Sequence, residues 1–106
     1  MTKSFWKPKL LPFLAEDTVL NAKGADVYGL RAKQKITFWF DGGLKVTGSK
    51  SSLTVNFKDP DLLVLSSMVR KTIRIYRVPY ARLICFELIF EAEDDTSGHA
   101  NRFDPN

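Results

Sequence analysis

The stretch ITFWFDGGLKVTG, residues 36 to 48, constrains this chain more than any other because its alternation fits only one hairpin register. Side chains of an extended strand alternate between two faces. Ile36, Phe38 and Phe40 therefore share one face, and Thr37 and Trp39 share the other. Beyond Asp41-Gly42-Gly43, Leu44 and Val46 alternate with Lys45 and Thr47. A two-residue loop would set Phe40 against Gly43 and Phe38 against Lys45. A three-residue loop sets Phe40 against Leu44, Phe38 against Val46, Trp39 beside Lys45 and Thr37 beside Thr47. Only the second register keeps one face apolar. Its third loop position calls for left-handed backbone, which Gly43 supplies.

Strand patterning continues through the rest of the chain. After the interruption at Gly48–Ser52, Leu53, Val55 and Phe57 resume the alternation, either as a new strand or as the second half of a strand bent near Gly48. KDPD (58–61) reads as a turn, LLVLSS (62–67) and TIRIYRV (72–78) as strands, and RLICFELIF (82–90) as the last strand, after Pro79. Ahead of the hairpin, residues 1–10 read as a basic arm and residues 24–34 as a connection. A short helix is expected over residues 12–23, with Pro12 in its first turn, Lys23 late and Gly24 closing it.

The last strand is apolar on both faces. Ile84, Phe86, Leu88 and Phe90 line one, and Leu83, Cys85 and Ile89 line the other beside Glu87. A strand with water on one side alternates better than this, so both faces need cover, and Cys85 is expected to be a small buried thiol. With one short helix available, the cover is expected from a closed barrel that also associates with further copies. The fold expected is mainly β: a small, five-stranded, strongly bent SH3-like barrel, with residues 44–57 counted as one bent strand. The domain spans residues 1–90, and residues 91–106 form an acidic tail expected to be disordered. The three-residue link VRK (69–71) leaves no room for the helix of an OB-fold, and no helix follows the last strand as in a pleckstrin-like barrel.

The formal net charge of +4 conceals an asymmetry. Glu91, Glu93, Asp94, Asp95 and Asp104 fall in the tail beside Arg102, so the body is far more basic than the whole. A basic body points to a polyanionic partner such as nucleic acid, and Glu93, Asp94 and Asp95 are then expected to compete with it. Catalysis finds little footing. His99, the only histidine, sits in the acidic tail with no credible Cys or Ser nucleophile partner, and one His with the single Cys85 cannot make a zinc site. No phosphate-binding glycine motif occurs. The expectation is a non-enzyme without metal or cofactor. With no signal-peptide pattern and no run long enough to span a bilayer, a cytoplasmic location away from membranes is expected.

Residues 35–88 resemble the Sm-like family, which includes the bacterial Hfq proteins. KITFWFDGGLKVTG is similar to the first Sm motif: a strand, an acidic-glycine turn, then a hydrophobic strand carrying a glycine. DLLVLSS resembles the apolar run of the family's next strand. IRIYRVPYARLICFEL resembles the second motif in layout, with Tyr76-Arg77 where Hfq has Tyr-Lys. The resemblance implies a homo-oligomeric ring formed by pairing the last two strands with neighbours, with single-stranded RNA bound at loops around the pore. It implies phosphate contacts from Lys58, Arg77 and Arg82, base stacking on Tyr76 or Tyr80, and a loop corresponding to the uridine-binding loop around Asp59 and Asp61.

Overall fold

A computed structural model describes residues 1–90 of the chain. The acidic tail lies outside the described residues, and with it His99 and the expected competition by Glu93, Asp94 and Asp95. In chain order the elements are α1 (Lys3–Leu10), a 3-10 turn (Leu11–Phe13), β1 (Leu14–Glu16), α2 (Thr18–Asn21), β2 (Val27–Leu30), β3 (Gln34–Phe40), β4 (Lys45–Ser49), β5 (Leu53–Asn56), β6 (Leu62–Val69), β7 (Thr72–Pro79), a 3-10 turn (Tyr80–Arg82) and β8 (Leu83–Phe90). The strands form two antiparallel sheets, ordered β1-β2-β5-β6-β7 and β4-β3-β8.

The hairpin register is the one its alternation demands. Phe38 faces Val46, Trp39 faces Lys45 and Thr37 faces Thr47. Phe40 N–H donates to Leu44 O at 2.9 Å and closes the three-residue loop. Gly42 and Gly43 both have positive φ, 90° and 92°. On the outer face Lys45 Nζ sits 5.1 Å from the centre of the Trp39 ring, and the Thr37 and Thr47 hydroxyls are hydrogen-bonded at 2.9 Å.

Residues 44–57 do not form one bent strand. Lys45–Ser49 belongs to the three-stranded sheet and Leu53–Asn56 to the five-stranded one. Between them a tight turn is closed by Ser52 N–H donating to Ser49 O and Ser49 N–H donating to Ser52 Oγ, both at 3.0 Å. A side chain at Gly48 would collide with Leu53 Cβ, so glycine is what lets the two sheets meet here. Ile36, Phe38, Phe40 and Val46 from one sheet and Leu53, Val55, Leu63 and Leu65 from the other fill a common core.

Several expectations are corrected. No closed barrel forms: among the described residues β7 and β8 are the outermost strands of separate sheets and do not pair with each other. The N-terminal helix is α1, over the segment expected to be an arm. It lays Trp6 and Leu10, one turn apart, into the core and is tied down by a Lys7–Asp26 ion pair of 2.9 Å. Residues 12–23 instead give a strand and a single helical turn, capped by Asp17 accepting from Leu20 N–H at 3.0 Å. The connection at 24–34 contains β2, which pairs with β5. Cys85 is exposed, because Phe86 and Leu88 take the inward positions opposite Phe38 and Ile36 and leave Cys85 on the outer face beside Trp39.

The contact at Gly48 makes a prediction. Gly48→Ala should lower unfolding free energy by about 1–3 kcal/mol, since the added methyl has no space beside Leu53. Urea denaturation measures it, and an unchanged midpoint would show that the two sheets tolerate a wider join.

Candidate nucleic-acid interface

Three connections come together at one end of the two sheets: the β3–β4 turn, the β5–β6 loop and the β7–β8 link. Tyr80 N–H donates to Asp61 O at 3.1 Å, joining the link to the loop. Asp41 N–H donates to Arg82 O at 2.7 Å, and Arg82 Nη2 donates back to Asp41 O at 2.9 Å, joining the link to the turn. An added Cβ at Gly42 would stand 2.8 Å from Arg82 Nη2, so the glycine makes room for the guanidinium.

The β5–β6 loop is built by its own polar side chains. Asn56 Oδ1 accepts from Lys58 N–H at 2.8 Å. Asp59 Oδ1 accepts from Asp61 N–H at 2.8 Å and Leu62 N–H at 3.0 Å. These two backbone donors hold the Asp59 carboxyl below the usual aspartate range, and the charges of Arg77 and Lys3 act in the same direction. Lys3 Nζ donates to Phe57 O at 2.6 Å and brings the start of α1 to the same loop.

The expected site residues separate into two groups. Lys58, Asp59, Asp61, Arg77 and Arg82 lie at or beside these connections, and Lys58, Arg77 and Arg82 are exposed. Arg77 projects from the outer face of β7, opposite Val64. The tyrosines are placed differently. Tyr76, opposite Leu65, is half-buried against the core. Tyr80 is 2% exposed, so in this fold it is a core side chain and not a stacking surface. Among the described residues its hydroxyl has no hydrogen-bond partner. Burial raises its pKa far above the ordinary tyrosine range, and the charges of Asp26 and Asp59 push the same way.

Cations and carboxylates therefore alternate at this end: Lys58, Arg77 and Arg82 stand among Asp41, Asp59 and Asp61. Each cation has spare donors, since Arg82 spends one guanidinium nitrogen on a backbone carbonyl and keeps others for a phosphate oxygen. Two contributors escape sequence reasoning. Lys3 sits far away in the chain, and Asp41 acts through its backbone. Among the described residues no cluster of His, Cys, Asp and Glu large enough to hold a metal ion occurs. No helix is long and apolar enough to cross a membrane.

Two measurements follow from this geometry. Tyr80→Phe removes an unsatisfied buried hydroxyl and should leave thermal stability unchanged or raised. Tyr80→Ala should cost about 3–5 kcal/mol through the cavity it leaves. A marked loss in Tyr80→Phe would mean that the hydroxyl has a partner. The Asp59 carboxyl, followed by NMR, should titrate below the ordinary aspartate value of 3.8. Because its pKa is lowered on folding, its hold on the loop is complete above that range and is lost as pH falls through the lowered value. Titration at or above 3.8 would contradict the two hydrogen bonds.

No protein-family model matches the chain, and neither a curated protein nor a solved structure matches it.

Proposed function

We propose that this chain is an Sm-like RNA-binding protein of the cytoplasm. Copies of it join edge to edge into a ring, and single-stranded RNA lies across the Lys58, Arg77 and Arg82 loops. The observation that carries the reading is the strand order. It leaves the last two strands outermost in separate sheets, each with an open edge and exposed apolar side chains: Ile73 and Ile75 on β7, Ile84 and Phe90 on β8. Open apolar edges are a liability unless another chain covers them, and each of these supplies what the other lacks. The closed SH3-like barrel expected of one chain would then be completed between copies. Asp59 and Asp61 shape the RNA-facing loop, Tyr76 offers its half-exposed ring to a base, and Tyr80 supports the link from inside.

A second reading is a protein-interaction or structural β domain that uses the same edges and has no specific RNA affinity. The carboxylates of Asp41, Asp59 and Asp61 among the cations favour it, as does the burial of Tyr80.

Native mass spectrometry of the full chain should give a closed oligomer, and a monomer at micromolar concentration would defeat the ring. Fluorescence anisotropy with a short single-stranded RNA should show affinity falling steeply with salt, with a log–log slope of about −2 for three phosphate contacts. The double variant Arg77→Ala/Arg82→Ala should bind about tenfold or more weakly, as loss of two charge-assisted contacts requires. An oligomer whose RNA binding is untouched by that variant would move the site elsewhere. An oligomer with no RNA affinity would leave the second reading standing.

A further inference from the structure

We propose that a pocket at the opposite ends of the same strands binds a phosphomonoester of about mononucleotide size. Its wall is a cross-strand row on the outer face of the three-stranded sheet, where Lys35 on β3 lies between Ile89 on β8 and Ser49 on β4. The turn after β4 adds Lys50 and Ser51, and the segment before β3 adds Ala32 and Lys33. The pocket is open to solvent on one side and its volume is about 580 Å³, within the range of roughly 300–1,000 Å³ typical of small-molecule sites.

The lining selects an anion. Lysines and the serines Ser49 and Ser51 share the lining, and no carboxylate stands among the described lining residues. Among the described residues Lys35 and Lys50 make no ion pair. A phosphomonoester near neutral pH carries a charge approaching −2 and three acceptor oxygens, which the two ammonium groups of Lys35 and Lys50 and two hydroxyls can match. The site is also held in place: Ser52 Oγ accepts from Ser49 N–H at 3.0 Å and Ser52 N–H bonds back to Ser49 O, so the turn carrying Lys50 and Ser51 is stapled shut.

The apolar part of the lining decides between a compact ligand and a polymer backbone. Ile89 and Ala32 add an apolar part to the lining that a run of phosphates does not need and that the body of a small ligand does. The site is also separate from the RNA loops. β3 begins here and ends beside Asp41, so its seven residues hold the two sites about 20 Å apart at ~3.3 Å per residue. The inference therefore does not rest on the RNA reading.

The test is an NMR titration of the isotope-labelled full chain with 5′-AMP, with adenosine, with inorganic phosphate and with a short single-stranded RNA. AMP should shift the amides of Lys35 and Ser49–Ser51 and saturate. Adenosine should bind about tenfold more weakly for want of the charge-assisted contacts, and phosphate should shift the same amides at higher concentration. Lys35→Gln/Lys50→Gln should weaken AMP by about tenfold or more, whereas Arg77→Ala/Arg82→Ala should leave it unchanged. Both lysines are exposed, and a thermal melt checks that the double variant is folded. Equal binding of AMP and adenosine would overturn the proposal. So would AMP shifts confined to the Lys58–Arg82 loops, an unaffected lysine variant, or RNA that shifts these amides where AMP does not.

Discussion

Gly48 lies against Leu53 with no space for a side chain between them, and the chain passes from one sheet to the other at that point. The separation of the molecule into two sheets depends on this contact. β3 pairs with β4 on one side and β8 on the other, and points Ile36, Phe38 and Phe40 into the core. β5, carrying Leu53 and Val55, pairs with β2 and β6 and closes the core from the opposite side. A wider join would draw these two layers apart, and a core of this size has little surplus burial to lose.

The same arrangement decides what is left open. With β3 and β5 at the centres of their sheets, β7 and β8 become edges. Ile73 and Ile75 on the outer face of one, and Ile84 and Phe90 of the other, keep much of their area in water. Apolar area on an open edge is a liability in water, and the proposed ring would cover it with a strand from a second copy of this chain. Charge is divided between the two strand ends. At the loop end the cations stand among Asp41, Asp59 and Asp61, so a polyanion binding there meets attraction and repulsion together. At the other end no carboxylate stands among the described residues that line the pocket of Lys35 and Lys50.

The hairpin at residues 36–48 was legible because only one register keeps its apolar residues on one face. The later strands were legible for a similar reason, and of the residues the family resemblance placed in loops, Lys58, Asp59, Asp61 and Arg82 lie at connections, whereas Arg77 lies within β7. The N-terminal third was not legible. α1 buries only Trp6 and Leu10, a pattern too short to show a period, and Pro8 reads as a breaker. β1 and β2 are three and four residues long and exist through their pairing with each other and with β5, which no local propensity reveals. Cys85 was misplaced because apolar residues crowd both faces of β8, and Tyr80 because it sits in a turn, where no alternation says which way a side chain faces. The bulge between Trp39 and Phe40, which shifts the register against β8, has no sequence signature.

The claim on which the functional account rests is that the outward edges of β7 and β8 are covered by other copies of the chain. Amide hydrogen exchange of the full-length protein, compared at micromolar and nanomolar concentration, addresses it directly. The account predicts that edge amides of β7 and β8 are protected at the higher concentration and lose that protection on dilution, while those of β3 stay protected throughout. Edge amides that exchange rapidly at both concentrations would contradict it.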